Sequence, residues 1–326
     1  MILPSYKRRY AIKRMEEEDM SEPFGVTMRP QENTQRKINP DTVFTFFLYF
    51  ISILIFIIVV YPVYFVLIAS FSSPEQVSAG NVIWRPLELT LRGYAQLGKY
   101  PQLWVGYKNT IIYCILGTIM SLAVNIPTAY ALSRKDLFGR KLLTFFYLLP
   151  MFFTGGLIPT YMVIKDFNLI DTIWVMVVPF SVVTYYIIVA RTFFDQSIPR
   201  DLWEAAQLDG CGNIQFFFKV VLPLSKAVIS VIALWTAVGL WNSYFNALIY
   251  LREEALQPLQ LFLRGVLINN QTQASMLAGS AGVAARQMAD LMKYALIVVS
   301  SAPIMLIYPF VQKYFNQGVM IGSVKG

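Results

Sequence analysis

Histidine is absent from the 326 residues, and charged residues make up only 14% of them. Without histidine, the chain has no histidine metal ligand and no catalytic Ser-His or Cys-His pair. It also lacks the G-x-x-x-x-G-K-[ST] motif, so it has no P-loop with which to bind ATP. The two cysteines, Cys114 and Cys211, favour neither a disulfide framework nor a metal site. We expect no catalytic residue, cofactor or metal on this chain, and no nucleic-acid partner.

Apolar residues dominate what is present: they make up 56% of the chain, and the mean hydropathy is +0.52. Crossing the hydrocarbon core of a bilayer takes about 20 helical residues. Six segments are long and apolar enough, and they predict an all-α integral membrane protein with six transmembrane helices: Val43–Ser70, Tyr107–Leu132, Leu142–Ile164, Thr172–Ala190, Leu224–Tyr250 and Lys293–Tyr314. The third carries Pro and Gly breakers, which predict a break that faces protein or a cavity, or else a kink with a packing role.

The distribution of Lys and Arg predicts the orientation. Basic residues are frequent in the arm 1–42, in the short loop 133–141 and around residues 200–223, whereas the longer loops 71–106 and 251–292 offset theirs with acids. Both termini and the 200–223 segment are therefore predicted to be cytoplasmic. We expect three parts: a mostly disordered, uncleaved arm, a membrane domain over 43–314 and a cytoplasmic tail over 315–326.

The polar segment 200–223 has helical character of its own. Trp203, Ala206, Gln207 and Gly210 recur at spacings of three and four, which places them along one stripe of a short helix. Gly210 predicts the end of that helix, because glycine adopts the left-handed conformation without a Cβ clash. A second short helix is predicted from about Ile214, and Leu222-Pro223 closes the segment. On these patterns alone, an amphipathic helix lying on the membrane surface is an equal alternative.

The order Glu204-Ala205-Ala206, Gly210 and then Val220-x-Leu222-Pro223 resembles the EAA loop of ABC importer permeases, with Val220 in place of Ile. We call residues 200–223 the EAA loop. Stretches 150–161 and 241–250 resemble carbohydrate-uptake permeases for polysaccharide breakdown products. The end of the chain, 318–326, resembles the tail of the second permease subunit of the maltose importer. The likeness covers about residues 43–326 and implies a type I ABC importer permease of the carbohydrate-uptake family.

This resemblance implies a multi-pass cell-membrane subunit that imports oligosaccharides by alternating access. Its expected partners are a second permease in a heterodimer, two ATPase subunits that bind ATP and Mg, an external sugar-binding protein and membrane lipid. The residues expected to couple to the ATPases are Trp203, Glu204, Ala205, Ala206, Leu208, Asp209, Gly210, Leu222 and Pro223, together with the tail residues Gly322, Ser323, Val324, Lys325 and Gly326. Trp203, Ala205, Ala206 and Leu208 are expected to pack in the ATPase groove.

Aromatic and amide side chains suit a sugar, which has apolar C–H faces and many hydroxyls. The expected substrate path is lined by Tyr185, Trp235, Trp241, Asn242, Tyr244 and Asn246. An aromatic belt and interhelical bridging are the alternatives for these residues. The resemblance also implies that the binding protein docks on the long loop 251–292, at the polar stretch Asn269, Asn270, Gln271 and Thr272. A surface amphipathic helix without a partner is the alternative for this loop.

Two other classes compete with the importer reading. An ion-coupled secondary sugar transporter more often has ionisable residues deep in its spans, and none is visible here. A membrane-embedded enzyme needs a catalytic constellation, which the sequence does not offer.

Overall fold

The computed structural model describes residues 40–276 and 279–323, so most of the predicted arm, and Val324, Lys325 and Gly326 of the predicted tail, lie outside the described residues. The described chain is helical and contains no strand. In chain order its helices are α1 Pro40–Ser70, α2 Pro74–Ser78, α3 Arg92–Gly98, α4 Pro101–Ser133, α5 Arg140–Phe152, α6 Leu157–Asp166, α7 Trp174–Val177, α8 Thr184–Ser197, α9 Arg200–Leu208, α10 Asn213–Phe216, α11 Lys226–Trp241, α12 Phe245–Tyr250, α13 Leu259–Met276 and α14 Gly279–Ser323.

Packing divides the chain into two units, Met1–Val59 and Val60–Gly326. The described part of the first unit is the apolar beginning of α1, whose side chains from Phe44 to Val59 are almost all exposed. An apolar helix with exposed side chains all around is typical of a lipid-facing span. Helices α2 to α14 belong to the second unit.

Three described helices are each long and apolar enough to cross a membrane: Phe44–Ser70, Pro101–Ser133 and Arg286–Ile307. Two bent pairs bring the number to as many as five. α5 and α6 meet at 118°, and the segment Asn213–Leu224 meets α11 at 79°. The predicted third span is therefore two helices, separated at the Gly155-Gly156 pair, where Gly156 has φ +81°. A left-handed backbone of this kind favours glycine.

The predicted fourth span is also interrupted. It consists of the short α7, an irregular stretch over 178–183, and the 14-residue α8. Asn125 on α4 forms hydrogen bonds with backbone groups that lack a helical partner at this interruption. Its Nδ2 donates to the Ser181 carbonyl at 2.7 Å, and its Oδ1 accepts the Val183 N–H at 3.0 Å. Asn125 is fully buried. A broken helix is tolerated in an apolar bundle because neighbouring side chains replace the missing backbone bonds.

α4 is the central helix of the second unit and makes its most extensive contacts with α11 and α8. Ser121 Oγ lies 3.3 Å from Thr236 Oγ1, and the Cys114 thiol lies 3.5 Å from the Ala237 carbonyl. Small residues at these points let α4 and α11 approach closely.

The region after α12 differs from the expected loop. Residues 259–276 form α13, which packs on α14 and α4 through the buried side chains of Leu259, Leu263 and Val266. The polar residues Asn269–Thr272, which we expected in the long loop 251–292, therefore lie within a helix. α14 begins at Gly279, well before the predicted start of the sixth span at Lys293. The apolar residues that cover α4 and α14 explain why this stretch folds as a packed helix.

Candidate functional site

The EAA loop folds as the sequence predicts. α9 begins after Pro199 and ends at Leu208, and Gly210 follows with φ +74°. The Cys211 N–H closes the turn by donating to the Ala206 carbonyl at 2.9 Å. α10 restarts at Asn213, and a π-helical turn over Phe217–Val221 leads to Leu222-Pro223. The left-handed glycine stop and the second short helix are both confirmed.

The rings of the EAA loop are embedded in a core formed by α4 and α8. Phe216 is 1% exposed, and the Trp203 ring meets it edge-on with centroids 5.0 Å apart. Phe217 packs against Tyr130 of α4 at 5.2 Å. Edge-to-face pairs of this kind add to the free energy of burying the rings. The EAA loop is therefore part of the same packed body as the second long helix.

Arg134, just after α4, joins that helix to α9. Its guanidinium lies over the Trp203 ring, with Cζ 4.2 Å from the ring centroid. The same group donates from Nε and Nη2 to the two carboxylate oxygens of Asp136 at 2.9 and 2.7 Å. Its side chain is only 18% exposed. The arginine thus uses its face on the tryptophan and its edge on the carboxylate, an arrangement that lysine cannot reproduce.

A cleft of about 340 Å³ opens beside this contact, between the 133–136 loop and α9. Its acidic and basic side chains are mostly paired with each other: Arg134 with Asp136, and Arg200 with Glu204 at 3.1 Å. The Arg134 hydrogen bonds lower the pKa of Asp136, so this pair stays ionised at neutral pH. Because most of these charges are already paired, the cleft has the character of a contact between two structural elements and not of an anion-binding pocket.

Apolar side chains at the same end point away from the core. Leu208 is 91% exposed, Ile214 is 77% exposed, and Phe138 in the turn between α4 and α5 is 99% exposed. Ala205 and Glu204 are also exposed. Large exposed apolar side chains clustered at one end of a molecule are typical of a protein–protein contact.

The structure separates the four residues that we expected in a partner's groove. Ala205 and Leu208 face outwards, as expected, whereas Trp203 and Ala206 are partly buried against this chain's own core. The helix period explains this separation, because residues three positions apart lie on the same face of a helix. Trp203 and Ala206 share the face that covers Phe216 and α8. Arg134 and Phe216 were not among our candidates, since nothing in their local sequence indicates contact with α9. The exposed Phe138 was not among them either.

The predicted substrate-path residues fall into separate groups. The rings of Tyr185 on α8 and Trp235 on α11 contact each other at a tilt of 35° with centroids 5.6 Å apart, and Tyr185 is 51% exposed. Trp241 is instead a core residue: it is 7% exposed, and its Nε1–H donates to the Ser300 carbonyl at 3.0 Å. This burial removes Trp241 from the expected path, because its ring and its N–H are both already in use.

The remaining candidates surround the break between α11 and α12. Asn242 and Tyr244 are exposed there, and Asn246 is half-buried. Arg264 of α13 lies over the Tyr244 ring, with Cζ 5.0 Å from the centroid. We did not single out Arg264 from the sequence, although it is the one charged residue between Glu254 and Arg286.

The loop that follows α12 is fixed by side chains from other elements. Asp171 accepts the N–H groups of Arg252 and Glu253 at 2.8 and 3.0 Å, and these bonds lower its pKa. From α4, Asn109 donates to the Ala255 carbonyl at 2.7 Å and Tyr113 to the Leu256 carbonyl at 2.7 Å. A loop with its backbone bonded this way holds its exposed residues, Arg252 to Ala255, in one conformation.

Of the predicted docking residues, Asn269 and Thr272 are exposed on α13, while the side chains of Asn270 and Gln271 are outside the described set. Gly322 and Ser323 lie at the end of α14.

Comparison with known families gives a match over almost the whole chain. Residues 23–321 match the sequence profile of the family described as binding-protein-dependent transport system inner membrane component. The chain belongs to this family. It is accordingly a membrane-embedded permease subunit, and permease subunits of this family are not enzymes themselves.

Individual permeases resemble the chain over most of their length. It is 35% identical over 287 residues to the polygalacturonan/rhamnogalacturonan transport system permease protein YtcP of Bacillus subtilis (strain 168), covering 88% of this chain and 99% of that protein. It is 36% identical over 276 residues to protein LplC of the same organism, covering 82% and 90%. Among solved structures, a chain of a bacterial ABC transporter involved in import of the acidic polysaccharide alginate aligns with a TM-score of 0.77 and 30% identity, covering 85% of this chain and 98% of that chain. The type I importer permease fold and the ABC importer role follow.

Proposed function

We propose that this permease carries oligosaccharides derived from polysaccharides into the cytoplasm, coupled through its EAA loop to partner ATPase subunits that bind ATP and Mg. The observation that carries the proposal is α9, which is locked onto α4 by Arg134 and Trp203 while Leu208 projects outwards. A rigid element with one buried face and one exposed face suits the transfer of force across an interface. The named cargoes of the relatives support a polysaccharide-derived substrate.

The outward face of the EAA loop supports a revised set of ATPase contacts. Leu208, Ala205 and Ile214 would enter a groove on the ATPase, with Phe138 beside them, and Glu204 and Asp209 would meet polar or basic groups there. Trp203, Ala206, Leu222 and Pro223 would position that face from behind. Both termini and the EAA loop would lie in the cytoplasm, as the distribution of Lys and Arg predicts, and that is the compartment that supplies ATP.

Two further partners complete the proposal. The apolar surfaces of the span helices would pack against lipid and a second permease, which would form a heterodimer with this chain. On the opposite face, Asn269 to Thr272 of α13 and the fixed loop Arg252 to Ala255 would receive a sugar-binding protein. Tyr185, Trp235, Asn242, Tyr244 and Asn246 would line the sugar path.

The test of the function is purification of the chain from membranes by mild extraction. We expect a second permease and an ATPase to co-purify, and a binding protein loaded with oligosaccharide to raise the ATPase rate of the complex. A chain that consistently purifies without an ATPase would contradict the importer assembly and favour an ion-coupled secondary transporter.

The tail gives a separate prediction. We propose that Gly322 to Gly326 contact the ATPase, so deleting these five residues should lower sugar-stimulated ATPase activity severalfold while the complex still assembles. The measurement is ATP hydrolysis by purified complexes of equal subunit composition. Unchanged stimulation in the truncated complex would show that the tail has no part in coupling.

A further inference from the structure

Arg264 is an isolated cation in an otherwise uncharged part of the chain. No other charged residue occurs from 255 to 285. Its helical neighbours Leu263 and Val266 are buried, whereas Arg264 itself is exposed. The ion pairs found among the described residues do not include it. An exposed guanidinium with no ion pair among the described residues can bind an anionic ligand or a partner's carboxylate.

The contact with Tyr244 sets the orientation of this guanidinium. The 5.0 Å distance from Cζ to the ring centroid is within the range of a cation–π contact. Such a contact places the guanidinium over the ring and leaves N–H donors for a further partner. Those donors match the two oxygens of a carboxylate, which arginine binds through two parallel hydrogen bonds.

The surroundings are those of a sugar site. Tyr244, 41% exposed, stands at the break between α11 and α12, next to the exposed amide of Asn242. Broken helices in transporters occur where the backbone lines a substrate cavity. An aromatic ring, an amide and an unpaired arginine together offer a platform for a C–H face, partners for hydroxyls and a counter-charge for an acid group.

We propose that Arg264, held by Tyr244, binds the carboxylate of an acidic, uronate-containing oligosaccharide as it enters the permease. This assignment rests on the proposed function, since it places the substrate at the same sugar path and adds the sign of its charge. A neutral sugar would accept only ordinary hydrogen bonds from the guanidinium, whereas a uronate would accept stronger, charge-assisted ones.

The test uses the complete transporter in proteoliposomes with its binding protein. The probes are a galacturonate trisaccharide and its methyl ester, which has the same ring structure without the charge. In the wild type we expect faster uptake of the acid than of the ester. In Arg264→Gln we expect uptake of the acid to fall by about 10- to 100-fold, because a charge-assisted bidentate contact is lost, and uptake of the ester to change less than about threefold.

Matched variants separate recognition from folding. Arg264→Lys keeps the positive charge but not the two parallel N–H donors of the guanidinium, and it should recover only part of the uptake rate of the acid. Tyr244→Phe keeps the ring and should keep the preference for the acid, whereas Tyr244→Leu should reduce uptake of the acid more than uptake of the ester. Arg85→Gln, which removes another exposed arginine of the outer loops, should leave both rates unchanged.

Three results would overturn the assignment. Equal losses of acid and ester uptake in Arg264→Gln would show that Arg264 has a structural role. Wild-type complexes that take up the ester as fast as the acid would show that the transporter does not distinguish the charge of its substrate. Loss of the second permease from Arg264→Gln preparations would identify a carboxylate of that subunit as the partner. In all three cases ATPase stimulation by loaded binding protein would persist in the wild type, so the proposed function would stand. A wild-type complex without ATPase or uptake would instead refute that function itself.

Discussion

Replacing Arg134 by methionine is expected to reduce oligosaccharide uptake by about 5- to 30-fold while leaving the transporter assembled. The variant loses the contact with the Trp203 ring at 4.2 Å and the two hydrogen bonds to Asp136. A partly desolvated cation–π contact contributes about 1–2 kcal/mol. This free energy corresponds to an about 5- to 30-fold change in the population of molecules in which α9 is packed against α4. With α9 loose, closure of the ATPases would move the EAA loop without moving α4.

The measurement is uptake and ATP hydrolysis in the same proteoliposomes, so that uncoupling appears as hydrolysis without transport. Lys135→Met is the matched control, because Lys135 is the adjacent, exposed cation. A double-mutant cycle of Arg134→Met with Trp203→Leu should show that the two losses are not additive. Additive losses, or full uptake in Arg134→Met, would show that the contact between Arg134 and Trp203 does not couple α9 to α4.

Replacing Gly210 by valine is expected to have a comparable or larger effect on uptake. Gly210 has φ +74°, and no atom lies within 4 Å of the position of an added Cβ. The strain is therefore one of the backbone alone, about 1–2 kcal/mol for a left-handed residue and more for a β-branched one. Because Gly210 sets the angle between α9 and α10, relief of the strain would turn Leu208 away from its partner. Uptake should fall at least about tenfold.

Two controls test this explanation. Gly210→Asn should retain most of the uptake, since asparagine tolerates the left-handed conformation. Gly212→Ala should be neutral, because Gly212 has φ −78° and open space around its Cα. Uptake at the wild-type rate in Gly210→Val membranes, or an equal loss in Gly210→Asn, would show that the left-handed turn is not what couples the EAA loop.

The EAA loop shows how far local sequence can predict structure. The end of α9 at Leu208, the left-handed Gly210 and the restart of α10 at Asn213 are all confirmed, because glycine conformation and helix stops depend on neighbouring residues only. The face that α9 buries was predicted only in part. We expected Trp203 and Ala206 to meet a partner, and they meet Phe216 and the core instead.

The spans show the same division. Hydropathy located the first, second and last long helices, and the Pro and Gly breakers predicted the interruption of the third span. The interruption at Ser181 and the packed helix α13 went beyond hydropathy. Hydropathy measures transfer of side chains to an apolar phase, and it does not record which neighbour supplies hydrogen bonds to a broken backbone. Asn125 supplies them for the interruption before α8.

By itself, the sequence determined that this protein is an all-helical membrane subunit without a P-loop motif, and it located the EAA loop with its glycine turn. These properties follow from residue composition and from interactions between near neighbours in the chain. Only the tertiary structure placed Arg134 on Trp203, turned Trp241 into the core and set Arg264 over Tyr244. Those contacts join residues from separate helices, and the rotation of each helix about its axis is fixed by packing against the others.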